Sequence, residues 1–276
     1  MAVKTVENNV AIVTGASRGI GRGVAIGLGE AGWTVYLTGR TVRDDQSDRP
    51  GTITKTAAEV SGAGGRGIPV QCDHSIDADT AAVFRRVMDE QGHLDLLVNN
   101  ATMYTTDVGP REDAPFWELP IETWDLMHTV GLRSHFVASI HAARVMVHQG
   151  HGLIVNISSR GAVMYTGNVS YNVVKAAVDM LTLSTAEELR THHVAVVSLW
   201  PRLTLTAAIL AHPELFPDPS RGWSPEFNGR LVAALAADEH VIEKSGRALD
   251  IAEVASEYGI TDTDGRRPAP LQPPSR

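Results

Sequence analysis

Two clusters of side chains in the 276-residue sequence have the types and spacing to do chemistry. The first is Ser170-Tyr171-Asn172-Val173-Val174-Lys175. Tyr171 and Lys175 stand four positions apart, so on a helix they share a face. An ammonium beside a phenol stabilises the phenolate and lowers a pKa that is ordinarily about 10. A tyrosine tuned in this way serves as general acid or base near neutral pH. Ser158-Ser159 lie twelve to thirteen residues upstream, at the end of an apolar run. A hydroxyl there would hydrogen-bond a carbonyl oxygen as negative charge develops on it. A Tyr-x-x-x-Lys spacing alone occurs in many helices, and its weight here comes from the serines before it and from the second cluster.

That second cluster is Thr14-Gly15-Ala16-Ser17-Arg18-Gly19-Ile20-Gly21, directly after the apolar run Val10–Thr14 and before a small-residue helical segment, Arg22–Ala31. Glycine permits positive φ and puts no side chain between backbone and ligand. The helix that follows offers free N–H groups and its positive dipole end, which suits a pyrophosphate. The competing reading is a tight strand-to-helix turn that binds nothing; the place of the turn in the first such unit favours the ligand. The end of the second run, Leu37-Thr38-Gly39-Arg40, chooses between cofactors. An acidic residue there would accept hydrogen bonds from a ribose; Arg40 is cationic, and Arg18 approaches from the glycine turn. Two guanidinium groups suit a 2′-phosphate, so NADP(H) is preferred, with NAD(H) possible. Each arginine taken singly reads equally as a solvated surface charge.

Four motifs in order, TGASRGIG, Asn99-Asn100-Ala101, Ile157-Ser158-Ser159 and YNVVK, resemble the short-chain dehydrogenase/reductase family over roughly residues 8–255. The resemblance implies roles position by position. Gly15, Gly19 and Gly21 would line the pyrophosphate, with Ile20 in the same turn. Ser17, Arg18 and Arg40 would surround the adenosine phosphate, and Asp73 would bond the adenine amino group. Asn99 would brace the sheet and line the cofactor cleft beside Ala101. Tyr171 would transfer the proton, and Lys175 would hold the nicotinamide ribose and lower the tyrosine pKa. Ser159 would orient the substrate oxygen, because the register of Ser158 points it elsewhere. Pro201 and Thr206 would meet the nicotinamide end.

The sequence departs from the family pattern at three places. Gly131 stands where the long central helix usually carries an asparagine that holds a relay water; His128 or water is the expected substitute. Thr102 replaces the glycine of the Asn-Asn-Ala-Gly motif. Arg202 replaces a glycine after Pro201, and it either narrows the site or contacts a cofactor phosphate or an anionic substrate group.

The elements that must position these residues follow from apolar patterning. Val10–Thr14, Thr34–Thr38, Ile68–Cys72, Leu94–Val98, Leu153–Ile157 and Val194–Leu199 read as strands, apolar on both faces as a covered parallel sheet requires. Helical segments between them give an α/β doubly wound Rossmann fold, mostly parallel and roughly seven-stranded. Gly246–Ala255 reads as a short edge strand running into a helix. The expected organisation is one oxidoreductase domain over residues 1–264, with a substrate-loop region at 201–245 and a loose Pro-rich tail at 265–276. Arg43–Gly51 reads as a polar loop, and Pro201–Pro225 as a mobile segment that closes over substrate. Eleven of the aromatic residues fall between Tyr104 and Phe227, so the C-terminal half has material for an apolar pocket or, equally, for core. Met103, Tyr104, Phe116, Trp117, Met164, Tyr165, Phe216 and Trp223 are the wall candidates.

Composition excludes other classes. Apolar residues make up 43% and charged residues 20% of the chain, which is enough to form a core. The net charge is −8 with no basic block, which argues against nucleic acid as a partner. No apolar run spans a membrane and no secretory signal is visible; with the single Cys72, which reads as a small buried residue, this suits a cytoplasmic protein. The eleven histidines show no compact metal-ligand spacing, so no metal is expected. Helices near 121–148 and 169–190 resemble the family's dimer seam and imply a homodimer or homotetramer. The whole reads as an NADPH-dependent carbonyl reductase or secondary-alcohol dehydrogenase acting on a small to bulky apolar ketone or aldehyde. The alternatives are a cofactor-binding regulator with a degraded site, and an extended-type epimerase or dehydratase, which the glycine spacing and short C-terminal region disfavour.

Overall fold

Val, Ile and Leu dominate the short runs that become strands, because β-branched and apolar side chains pack well on a pleated, buried surface. The computed structural model describes residues 9–103, 115–211 and 218–269. Its strands are β1 (Val10–Val13), β2 (Thr34–Gly39), β3 (Arg66–Gln71), β4 (Leu96–Asn99), β5 (Gly152–Ile157), β6 (Val194–Trp200) and β7 (Ala248–Asp250). They form one parallel sheet in the order β3-β2-β1-β4-β5-β6-β7. The helices are α1 (Gly19–Glu30), α2 (Ile53–Gly62), α3 (Asp77–Gln91), α4 (Ile121–His128), α5 (Ser134–Gln149), α6 (Val169–Leu189), α7 (Ala207–Leu210), α8 (Pro225–Ala236) and α9 (Ile251–Tyr258).

Alternate strand residues enter two separate cores, as the two-residue side-chain period demands. Ala11, Val13, Val35 and Leu37 pack with Val24, Leu28, Phe227 and Leu231 of α1 and α8. Val10, Ile12 and Tyr36 pack with Phe84, Ala138, Ala142 and Ala186 of α3, α5 and α6. Side chains of Thr52, Asn168, Ser224 and Asp250 cap α2, α6, α8 and α9 by accepting first-turn N–H groups.

The doubly wound expectation holds, including the late edge strand β7 that runs straight into α9. One strand differs from its sequence reading. β3 is not apolar on both faces: Arg66, Pro69 and Gln71 are exposed, because β3 is a sheet edge. An edge also tolerates Pro69, which has no N–H to give. The long central helix is not uniform either. Thr129–Arg133 form a π-helical turn between α4 and α5, with Gly131 inside it.

The order reverses at β1, which has β2 on one side and β4 on the other. A crevice opens beyond the carboxyl ends of strands at such a switch point. The glycine turn after β1 and the Asn99–Ala101 segment after β4 therefore meet.

Residues 265–269 are not loose. Arg266 donates to the carbonyls of Ser220 and Gly222 and lies over the Trp223 ring, 5.0 Å from its centroid. Arg267 donates to Gly259 O at 2.8 Å. Arg202 joins this edge too. Its guanidinium lies 2.9 Å from the carboxylate of Asp250, which is only 4% exposed, and donates to Ala269 O at 2.9 Å. Residues 270–276 lie outside the described residues. Removing one partner of a buried ion pair strands the other charge out of water. Arg202→Ala is therefore expected to lower stability by about 3 kcal/mol, read as a denaturant midpoint. A loss well under 1 kcal/mol would mean that Arg202 does not hold this edge together.

Candidate functional site

The glycine turn is tied to β4 by side chains. Thr14 Oγ1 accepts the N–H groups of Asn100 and Ala101, both at 2.9 Å. Asn100 Nδ2 donates back to Thr14 O at 2.8 Å and Gly15 O at 3.1 Å. Gly15 and Gly19 have φ of +66° and +59°, which side chains rarely adopt. A Cβ on Gly21 would stand 2.4 Å from both Gly15 O and Asn100 Nδ2. α1 starts at Gly19 with no side-chain cap and no acidic residue in its first turn. Its first N–H groups are thus left for an anion, and the turn fits the pyrophosphate of a dinucleotide.

Around this turn lie most of the residues singled out from the sequence. Ile20 packs on the core beneath it. The Thr206 methyl is 3.5 Å from where a Gly19 Cβ would lie, and its hydroxyl caps α7. Pro201 follows β6, half-buried. Arg18 donates to Thr41 Oγ1 and Gly51 O, both at 3.1 Å, and to Ser47 Oγ at 3.3 Å. Ser17 lies against Gly39 at the end of β2, so the glycine turn and the Gly39–Thr41 stretch share one edge. Arg40 is exposed there, with Nη2 at 3.5 Å from Met103 Sδ. Asp73 follows β3. Burial alone would raise its carboxyl, but the Ser75 N–H and O–H and nearby Arg40 hold it below its usual range.

Asn99 braces the sheet but does not line the cleft. Its amide donates to Asn156 Oδ1 at 2.9 Å and Ser139 Oγ at 3.0 Å, and the residue is fully buried. The alternation along β4 turns it into the sheet–helix layer. Asn100 is the neighbour that reaches the cradle, a role the sequence reading missed although both residues stand in the motif.

The second cluster assembles where β5 meets α6. Asn168 caps α6 by accepting the Tyr171 N–H at 2.8 Å. Ser159 lies beside Tyr171, near enough to pull the phenol's pKa down. Ser158 is turned away, its hydroxyl donating to Lys175 O at 3.2 Å. Lys175 is 4% exposed and donates to Ile157 O at 2.8 Å, with Nζ 5.6 Å from the Tyr171 ring centroid. Burial brings its ammonium down to about 8, against an opposing pull from Asp179.

The tyrosine does not behave as its spacing from Lys175 led us to expect. Burial raises the Tyr171 pKa, and Ser159 offsets only part of this. A buried phenolate loses its hydration, and the ammonium is turned to a carbonyl rather than to the hydroxyl. In the chain without ligand, Tyr171 is a protonated phenol ready to donate.

The three departures from the family pattern have physical accounts. A Cβ on Gly131 would meet Thr102 Oγ1 and Val174 Cγ1 at 3.2 Å, so Thr102 stands against the space that a larger residue would fill. Arg202 is committed to Asp250 and Ala269, turned from the expected nicotinamide end. His128 stacks on Trp124 at 3.8 Å and bonds Trp124 O, facing the α5–α6 groove instead of Lys175. The histidine that feels Lys175 is His135, one helical turn beyond Gly131. It is buried, bonds Ala101 O at 3.0 Å, and is pushed down to about 3 by desolvation and then by Lys175. No spacing marked it, because one buried histidine on a helix looks like core.

The wall candidates divide. Met103 and Trp223 are core, whereas Phe116, Trp117, Met164 and Tyr165 are exposed. Tyr104 and Phe216 lie outside the described residues. Cys72 is fully buried, its thiol pushed up to about 12 by desolvation. Among the described residues, no three metal-ligating side chains gather and no helix is long and apolar enough to cross a membrane.

Comparison with known proteins agrees with this geometry. A short chain dehydrogenase profile matches residues 9–212. Dehydrogenase/reductase SDR family member 1 of Mus musculus is 43% identical over 96% of this chain and 86% of its own. The 3-oxoacyl-[acyl-carrier protein] reductase of Brucella melitensis, solved with NAD, superposes with a TM-score of 0.75 at 26% identity, covering 88% of this chain and 95% of that one. A Beutenbergia cavernae chain assigned as an NAD(P)-dependent gluconate 5-dehydrogenase, with NADP bound at low occupancy, gives 0.74 at 28%, covering 88% and 94%. The chain belongs to the short-chain dehydrogenase family, NAD(P)-dependent oxidoreductases that act on alcohol and carbonyl groups.

Proposed function

We propose that the protein is an NADPH-preferring carbonyl reductase, working in reverse as a secondary-alcohol dehydrogenase, with Ser159, Tyr171 and Lys175 as its catalytic residues. The observation that carries this reading is the grouping of Ser159 beside a protonated Tyr171 with a buried Lys175, whose Nζ lies 5.6 Å from the tyrosine ring centroid. A bound nicotinamide supplies or accepts the hydride. Ser159 donates a hydrogen bond to the substrate oxygen, where charge develops. Tyr171 gives that oxygen its proton in reduction and takes it back in oxidation. Lys175 holds the nicotinamide ribose with the two ammonium hydrogens that Ile157 O leaves over.

The arginine edge supports the NADPH preference: Arg40 is exposed beside the end of β2, and Arg18 is fixed on the facing loop. Exposed Val163, Met164 and Tyr165, in the loop just before Tyr171, support a bulky apolar ketone or aldehyde. An apolar groove of about 510 Å³ between α5 and α6, with Phe136 and Met180 exposed in it, is where a second copy of the chain would bind.

Tyr171→Phe is expected to keep NADPH binding, read by cofactor fluorescence, and to lose nearly all reduction of aryl ketones. Retained turnover would remove Tyr171 from the mechanism, and NADPH binding with no turnover by the wild type on any carbonyl would favour a regulator. Arg40→Asp is expected to weaken NADPH far more than NADH; equal weakening would reject the phosphate contact. Lys175 carries its charge below about 8 and loses it above. Wild-type NADPH affinity is therefore expected to fall as pH rises through that value, and Lys175→Met is expected to bind more weakly with no such step. A step of the same size in Lys175→Met would assign it to another group.

A further inference from the structure

The residue after Tyr171 is Asn172, half-buried on the first turn of α6. Every hydrogen-bonding atom of its side chain is engaged with the loop that leaves β5. Asn172 Nδ2 donates to Gly161 O and to Met164 O, both at 2.5 Å. Asn172 Oδ1 accepts from Thr166 N at 3.2 Å and from Thr166 Oγ1 at 3.3 Å. One side chain thus gathers both limbs of the 160–166 turn onto the helix that carries Tyr171 and Lys175.

The consequence for Ser159 runs through Gly161. Its carbonyl is held by Asn172, and its own N–H donates to Ser159 Oγ at 3.0 Å. Ser159 Oγ and the Tyr171 ring both crowd Gly161, Ser159 pulls the phenol's pKa down, and Tyr171 is covalently joined to Asn172. The four residues close a ring. Packing makes it tight, since a Cβ on Gly161 would stand 2.9 Å from Ser159 Oγ, 2.9 Å from Tyr171 Cε1 and 3.2 Å from Asn172 Nδ2. A hydroxyl rotates freely about its own Cα–Cβ bond unless a neighbour fixes it, and the Gly161 N–H is that neighbour. Its position depends on the Asn172 amide.

We propose that Asn172 is a positioning residue for catalysis: it clamps Gly161 so that the Ser159 hydroxyl faces Tyr171 and the incoming carbonyl oxygen. The inference rests on the proposed roles of Ser159 and Tyr171. Asn172 touches no substrate in this account and acts through Ser159. A small misplacement of a catalytic donor costs roughly 10–100-fold in rate.

The test is a double-substitution cycle on the full chain, with NADPH and 2-acetylnaphthalene as probes. Asn172→Ala is expected to keep NADPH binding and to lower kcat roughly 10–100-fold. In a Ser159→Ala background the same change is expected to cost less than threefold, because the hydroxyl that it positions is gone. Additive losses would overturn the inference and leave Asn172 a structural staple of the loop. A second readout needs no turnover. Ser159 lowers the Tyr171 pKa, so Asn172→Ala is expected to move the phenol titration upward, read by ultraviolet difference against Tyr171→Phe. An unmoved titration also counts against the clamp. Should Asn172→Ala fail to fold, Asn172→Asp keeps the size and the acceptor toward Thr166 but turns a carboxylate oxygen to the two carbonyls; it is expected to show the same loss and the same shift. If Tyr171→Phe stays active, the function reading fails; if only the cycle is additive, the clamp alone fails.

Discussion

Lys175 brings an ammonium to a place where almost none of its surface meets water. Taking that charge out of water costs several kcal/mol unless it is bonded, and a lowered pKa is the visible sign of the cost. One backbone carbonyl, Ile157 O, offsets part of it. The bond fixes much of what surrounds it: the end of β5, the angle at which α6 enters, and the side of the strand from which Ser158 and Ser159 leave. Ser158 Oγ bonds the Lys175 carbonyl, so strand end and helix are stitched in both directions. Tyr171, one turn earlier on α6, then lies over the ammonium and opposite Ser159.

A separate set of bonds builds the cradle. Thr14 and Asn100 exchange hydrogen bonds across the switch point between β1 and β4. These close the glycine turn against the segment that follows β4. The room left by Gly21 is occupied by backbone, which explains why no side chain can stand there. The two stitched regions lie at the carboxyl ends of neighbouring strands, and their separation is set by the spacing of parallel strands. No single loop sets it.

The departures from the family pattern lose much of their force once their neighbours are seen. Thr102 and Gly131 are partners in space: a hydroxyl lies against the position where the helix has given up its side chain. Arg202 belongs to the far edge, where a buried carboxylate needs a cation. Each was read one position at a time from the sequence, and each is explained by a residue distant in the chain. The same holds for residues that sequence reading passed over. Asn100 stood beside a named asparagine, and Asn172 stood inside the quoted motif. Their value comes from acceptors on other segments, which no local spacing reveals.

The sequence alone determined the parts that rest on local rules. Short runs apolar on both faces gave the strands, glycines gave the bend after β1, and the four-residue step put Tyr171 and Lys175 on one helical face. These depend on backbone geometry within a few residues. Tertiary structure decided that the edge strand β3 is half exposed, that residues 265–269 are pinned, and that the phenol is held protonated by burial. Burial and hydrogen-bond partners are properties of packing between distant segments, and charge responds to both; that is why the chemistry of the site could be named from the residues while its tuning could not.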